Sequence, residues 1–234
     1  MRLIYLHGLP GGGTGLSPAL AGLSDYEVVT PVLPGFDGKA GFEAPSEYLD
    51  WLTALWDAVD ATGALPCPVV GASLGGMLAA ELAVLRPEVV TKLALLGPLG
   101  LWDDAHPGID FFTLTLSQRL PSLFAGPVPD VFAHAFADIA DADPAEGMIA
   151  NYLSTVATAS LMWPLPDHGL RKRLHRLRAP TLVVWGAEDR IAPVQVADRW
   201  PAERRVVVPD AGHLVEWDAP DTVTKELDAF LTTP

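Results

Sequence analysis

Gly71-Ala72-Ser73-Leu74-Gly75 sets a serine between two glycines, after the apolar pair Val69-Val70 and before an apolar run from Met77. Gly-x-Ser-x-Gly between a strand and a helix is the signature of a nucleophile elbow. A serine hydroxyl is a weak nucleophile, so it must stand clear of the sheet edge where a base can take its proton. A turn tight enough to expose it brings two backbones together, and glycine omits the Cβ atoms that would collide there. The blander reading of the same residues is a glycine-rich turn with Ser73 as a helix cap. The pentapeptide alone does not separate the two, so other residues must. His213, in Ala211-Gly212-His213, can serve as the base. Asp189, in Gly186-Ala187-Glu188-Asp189, can fix the tautomer of that histidine and stabilise its cation. Asp103 and Asp104 are a second possible acid site, and Glu188 is adjacent to Asp189. His7-Gly8-Leu9-Pro10-Gly11-Gly12-Gly13 lacks the lysine of a phosphate-binding loop. Such a loop can also aim a backbone N–H at an oxyanion, which makes the N–H groups of Leu9 and Leu74 candidate donors.

The elements that must carry these residues follow from apolar runs and their punctuation. Leu3–Leu6, Tyr26–Thr30, Pro68–Ala72, Val89–Leu96, Thr181–Trp185 and Arg205–Val208 read as strands. Between them, Ser17–Leu23 is a short helix candidate. Ser46 is expected to cap a helix with Leu49, Leu52, Leu55, Trp56 and Val59 on its inner face. Leu74–Leu85 is apolar almost all round, with Glu81 its only charge, as in a helix buried on several sides. A last helix, near Pro220–Leu231, turns Val223, Leu227, Phe230 and Leu231 inward. Strand and helix alternate at short intervals, which predicts an α/β fold with a mostly parallel sheet flanked by helices. The rhythm breaks over residues 99–177, after the fourth predicted strand. That stretch holds helical segments at Phe111–Leu120, Val131–Ala140 and Glu146–Leu161 separated by proline-rich joints. It reads as a helical cap inserted into a core of residues 1–98 and 178–234. Gly8-Leu9, Ser73, Asp189 and His213 then all fall just beyond strand carboxyl ends, where open α/β sheets bind their ligands.

Composition bounds the function class. The chain has 234 residues, half of them hydrophobic, and a formal net charge of −14, which gives no electrostatic footprint for nucleic acid or an anionic membrane. The single cysteine, Cys67, excludes an intrachain disulfide and reads as a small buried residue. No metal-ligand spacing is present, and no organic cofactor is implied. The apolar run after Arg2 is too short for a signal peptide and no stretch reads as a membrane span, so a cytoplasmic protein acting on a small molecule is expected. Oligomeric state is not written in the sequence.

The order Ser73, Asp189, His213 is that of the α/β-hydrolases. The chain resembles that superfamily in Leu6-His7-Gly8, Leu33-Pro34-Gly35-Phe36, Gly71–Gly76, Gly186–Pro193 and Ala211-Gly212-His213. The resemblance implies the α/β-hydrolase fold, entered directly at what would be the family's third strand. It also implies a small capped serine hydrolase that cleaves an ester-like bond of a mostly apolar substrate through an acyl-enzyme. Serine at the elbow argues against the resembling epoxide hydrolases and haloalkane dehalogenases, which use a carboxylate. Carbon–carbon bond hydrolases, iminopeptidases, perhydrolases and lyases of this fold are alternatives, as is a non-enzymatic ligand-binding relative. Carbon–carbon hydrolases usually carry serine and asparagine where this chain has Leu9 and Ala72. Trp102 and Trp163, with Phe111, Phe112, Phe124, Phe132 and Met162, are the expected apolar contacts of the cap, either to substrate or within the cap's own core. His106, His134, His168 and His175 are expected to be solvated.

Overall fold

The strands are near-continuous apolar runs because both faces of the sheet are covered. In the computed structural model, Ile4, Leu6, Val69, Leu93, Leu95, Val183 and Trp185 turn to one core. Leu3, Tyr5, Val70, Ala72, Ala94, Leu96, Leu182 and Val184 turn to the other. This is the two-residue period of a strand. The structure describes residues 1–8, 16–33, 35–36, 45, 47–130, 132, 144–163 and 167–233, with the side chains of 116 and 144–151 outside that description.

Six strands, β1 (Arg2–Leu6), β2 (Glu27–Val29), β3 (Cys67–Ala72), β4 (Val90–Leu96), β5 (Thr181–Gly186) and β6 (Arg204–Val208), form one sheet in the order β2-β1-β3-β4-β5-β6. All five pairings are parallel. The order reverses between β1 and β3, and this is the switch point at which a crevice opens beyond the carboxyl ends. The register sets Leu6 beside Gly71, Ala72 beside Leu96 and Gly186 beside Val208. The strand ends that carry the candidate residues are therefore nearly level.

One face is covered by α2 (Tyr48–Asp60) and α3 (Leu74–Leu85), the other by α1 (Pro18–Ala21) and α8 (Pro220–Thr232). In α2 the inner stripe is Trp51, Leu52, Leu55 and Val59, and Leu49 is exposed. The expected stripe was off by one turn edge, because Trp51 is drawn inward and donates its indole N–H to Pro45 O at 3.1 Å. Ser46 lies outside the described residues, and Glu47 occupies the N-cap without a side-chain bond. Glu81, fully buried on α3, accepts from both guanidinium ends of Arg173 and from Tyr48 Oη at 2.9 Å. A buried carboxylate is tolerated only with such partners.

Between β4 and β5 the described elements are all helical. They are a 3-10 turn Phe111–Thr113, α4 (Leu116–Leu123), α5 (Pro144–Met162), α6 (Leu170–Arg173) and a 3-10 turn Leu174–Arg176. The expected single helix Phe111–Leu120 is two pieces, because Thr115 and Gln118 form a capping box that starts a new helix. Glu146–Leu161 lies within α5. Val131–Ala140 falls, but for residue 132, outside the described residues, as does His134. His168 stacks on Tyr48 at 3.9 Å between ring centroids, with Nε2 2.7 Å from Leu161 O, and so is not simply solvated. No described helix is long and apolar enough to cross a membrane.

Candidate active site

Ser73 sits between β3 and α3 with φ 53° and ψ −121°, a conformation that costs a non-glycine residue about 1–3 kcal/mol. The surroundings hold it there. Its N–H donates to Leu96 O at 2.9 Å, and its carbonyl accepts from Gly76 and Leu99, each at 3.0 Å. The glycines around it are required by close approach. A Cβ on Gly75 would stand 2.0 Å from Leu6 O, and one on Gly8 would stand 2.5 Å from Ser73 Cβ. The elbow is therefore clamped between the ends of β1, β3 and β4.

Asp189 follows β5 by three residues and is buried. Its Oδ1 accepts the N–H groups of Ile191 and Ala192, each at 2.9 Å, and its Oδ2 lies 2.8 Å from His213 Nδ1. His213 follows β6 and is also buried, with Nε2 2.8 Å from Ser73 Oγ. A carboxylate only accepts, so Nδ1 carries the proton and Nε2 is free to accept from the serine hydroxyl. Burial by itself lowers the histidine pKa. The charge and hydrogen bond of Asp189, with a further contribution from Glu216, outweigh it and set the imidazole above its ordinary 6.5.

Three further groups frame this chain. Glu216 lies on α7 (Val215–Asp218), is 1% exposed, and accepts from Tyr5 Oη at 3.4 Å, while its Oε2 has no hydrogen-bond partner. Burial pushes its carboxyl up to about 7, against the lowering effect of His213 and Tyr5. Asp218 Oδ2 accepts the Gly212 N–H at 2.7 Å, immediately before the histidine. Arg190, next to Asp189, donates to two carbonyls of the α4 end. None of these was singled out from the sequence. The one hint was a carboxylate set between Val215 and Trp217 in an apolar stretch.

Ser73 and His213 line a cavity of about 720 Å³ with Leu74, Leu99, Trp102, Phe111, Phe112 and Met162 among its walls. Leu74 N–H belongs to the first turn of α3, where no carbonyl four residues back is available to it. Leu9, the other candidate oxyanion donor, lies outside the described residues. Trp102 reaches the cavity, whereas Trp163 is 54% exposed and is not on its wall. Its neighbour Met162 is, since one step along a helix turns the side chain by about 100°. Phe124 and Phe132 are in neither the cavity nor a core private to the crossover. They pack with Leu123, Ile191 and Leu214. Asp103 lines the cavity but is bonded to groups outside the Ser73–His213–Asp189 chain, to Arg199 at 2.7 Å and to His106 at 3.0 Å. His7 is buried, rests its ring edge on Phe36, and is lowered by burial, as suits a structural residue. Among the described residues no group of three or more His, Cys, Asp or Glu could hold a metal ion.

Several known proteins resemble the chain over nearly its whole length. It is 30% identical over 242 residues to the dihydrolipoyllysine-residue acetyltransferase component of the acetoin cleaving system of Pseudomonas putida, matching 98% of this chain and 63% of that one. It is 28% identical over 252 residues to the 2-hydroxy-6-oxo-6-phenylhexa-2,4-dienoate hydrolase of Burkholderia cepacia, matching 98% of this chain and 87% of that one. Among solved structures, the 2-hydroxy-6-oxo-6-phenylhexa-2,4-dienoate hydrolase of Rhodococcus sp. strain RHA1 superposes with a TM-score of 0.75 at 22% identity, covering 99% and 90% of the two chains. A family model described as the alpha/beta hydrolase family matches residues 3–226, nearly all of the sheet and every strand end described above, and the chain belongs to that family.

Proposed function

We propose that the chain is a serine hydrolase that cleaves an ester-like bond of a small, mostly apolar substrate. The observation that carries this is the unbroken chain Ser73 Oγ, His213 Nε2, His213 Nδ1, Asp189 Oδ2, with both links at 2.8 Å, opening on the cavity. Ser73 attacks the carbonyl carbon while His213 takes its proton and passes it to the leaving group. The acyl group is then on Ser73. His213 next activates a water, which releases the acid and restores the hydroxyl. Asp189 keeps the imidazole in the tautomer that accepts at Nε2 and stabilises the cation. The N–H groups of Leu74 and Leu9 bind the oxyanion, and losing one such donor costs about 10²–10³ in turnover. Residues 99–177 act as the cap, with Trp102 on the substrate wall.

Carbon–carbon bond hydrolysis is the second reading, favoured by the hydrolase named above at 28% identity across 98% of the chain. The same serine, base and acid serve it. A fluorophosphonate probe tests both at once: it labels the wild type and leaves S73A and H213A unlabelled. Equal labelling of S73A would sink the serine mechanism. p-Nitrophenyl esters of increasing chain length, run beside a vinylogous diketone acid, then separate ester from carbon–carbon cleavage.

A further inference from the structure

The crossover between β4 and β5 holds the Asp189 loop at Ile109, whose N–H donates to Arg190 O at 2.8 Å, and at a second place it holds the loops of both His213 and Asp189. Residues 121–125, the end of α4 and the step after it, are bound to both loops that carry these groups. On the acid side, Arg190 Nη2 donates to Pro121 O at 2.6 Å and to Phe124 O at 2.9 Å. On the base side, Leu214 N–H donates to Leu123 O at 3.1 Å. Asp218 Oδ2 accepts two N–H groups, from Ala125 at 2.9 Å and from Gly212 at 2.7 Å, and so joins the crossover to the residue before the histidine. The contact is tight: a Cβ on Gly212 would stand 2.7 Å from Ala125 N. Apolar packing closes it, with Leu123 and Phe124 against Ile191 and Leu214. Leu123 also lines the cavity.

His213 and Asp189 come from different strands, and their 2.8 Å bond closes only if the two loops keep their separation. The two loops meet directly where Glu188 N–H donates to Ala211 O at 2.9 Å, and the backbone of 121–125 abuts both from the far side. We propose that Asp218 and Arg190 are positioning residues, which seat the base-bearing and acid-bearing loops on residues 121–125 and thereby set the His213–Asp189 geometry. The proposal rests on the reading of Ser73, His213 and Asp189 as the catalytic set. The charge on Asp218 is not what matters. One of its oxygens accepts both N–H groups, and an amide oxygen can do the same.

D218A, D218N and R190A are compared with wild type for hydrolysis of p-nitrophenyl acetate, for the rate of fluorophosphonate inactivation, and for the pH dependence of kcat/KM. Rates are normalised to the labelled fraction, which removes any loss through misfolding. Displacing a reacting group by about 1 Å costs about 10²-fold. D218A is expected to lose kcat on that scale with KM little changed, and its acid limb moves to lower pH as the Asp189 bond to His213 loosens, Glu216 being the other charge that acts on the imidazole. D218N keeps most of the wild-type rate. R190A shows the same direction of change and decides the matter if D218A does not fold. Unchanged kcat and an unmoved acid limb in the folded variants overturn the proposal. Equal labelling of S73A overturns instead the catalytic set on which it rests.

Discussion

Glutamine in place of Glu216 should change stability relative to the wild type by an amount that moves in the variant's favour as pH rises. The carboxyl is buried beside Tyr5, its Oε2 has no partner, and burial holds its pKa at about 7 against an ordinary 4.5. In the unfolded chain the group loses its proton near the ordinary value. In the folded chain it keeps the proton until about pH 7. Below the ordinary value both states are protonated and the native state carries no penalty. As pH rises between the two values, the unfolded state releases a proton that the native state retains, so the native state loses stability until it also ionises. At about 1.4 kcal/mol per pKa unit, the full loss is about 3 kcal/mol. Glu216→Gln cannot ionise and escapes it; Tyr5 Oη still finds an amide oxygen to donate to, while the amide N–H groups beside the unpartnered side add a cost that is the same at every pH. Urea unfolding of both proteins, followed by far-UV circular dichroism from about pH 5 to about pH 8, reads the difference directly. Any fixed effect of the amide is the same at every pH, so only the slope matters. A difference that stays flat over this range, or one in which the wild type gains, refutes the reasoning.

Three other outcomes are expected. On the proposed mechanism the kcat/KM of an ester substrate falls on the acid side with an apparent pKa above 6.5, because a base at His213 must be neutral and Asp189 and Glu216 together outweigh its burial; Glu216→Gln moves that limb to lower pH, and a limb below 6.5 in the wild type would contradict this. Among the described residues Arg173→Ala leaves the fully buried Glu81 with Tyr48 as its partner, and urea titration should show a loss of about 3–5 kcal/mol, much of it recovered when Glu81 is replaced by Met as well. Gly75→Ala drives a Cβ into the Leu6 carbonyl at 2.0 Å, where neither backbone can yield, so the cost exceeds the about 1–3 kcal/mol of ordinary overpacking and the melting temperature and probe labelling fall together.

Much of the sheet can be read in the chain because strands covered on both faces are continuous apolar runs, bounded by glycine and proline. Val69-Val70 and Leu182-Val183-Val184 needed no tertiary information. Ser73 was visible for a related reason: the elbow admits no Cβ at Gly71 or Gly75, and that leaves a pattern. What stayed hidden depends on partners far along the sequence. Asp218 bonds to Ala125, 93 residues away, and Tyr5 to Glu216, 211 residues away, and no local spacing records either. Trp163 illustrates the limit within one helix, where the difference between cavity wall and solvent is a single step from Met162. The break before α4 was legible in principle, since Thr115 and Gln118 stand at capping-box spacing. The aromatic run before it masked the signal.

The backbone at Ser73 also says which residues can replace it. A φ of 53° disfavours any side chain branched at Cβ, and Gly8 leaves little more than the room one unbranched Cβ needs. Threonine, chemically the nearest alcohol, is therefore the worse exchange, whereas alanine, which keeps the one Cβ, can occupy the turn with the same backbone. The scaffold is strict about shape at this position. The restriction comes from the backbone and from the close glycines, so it acts on the branching of the side chain before any chemistry is considered.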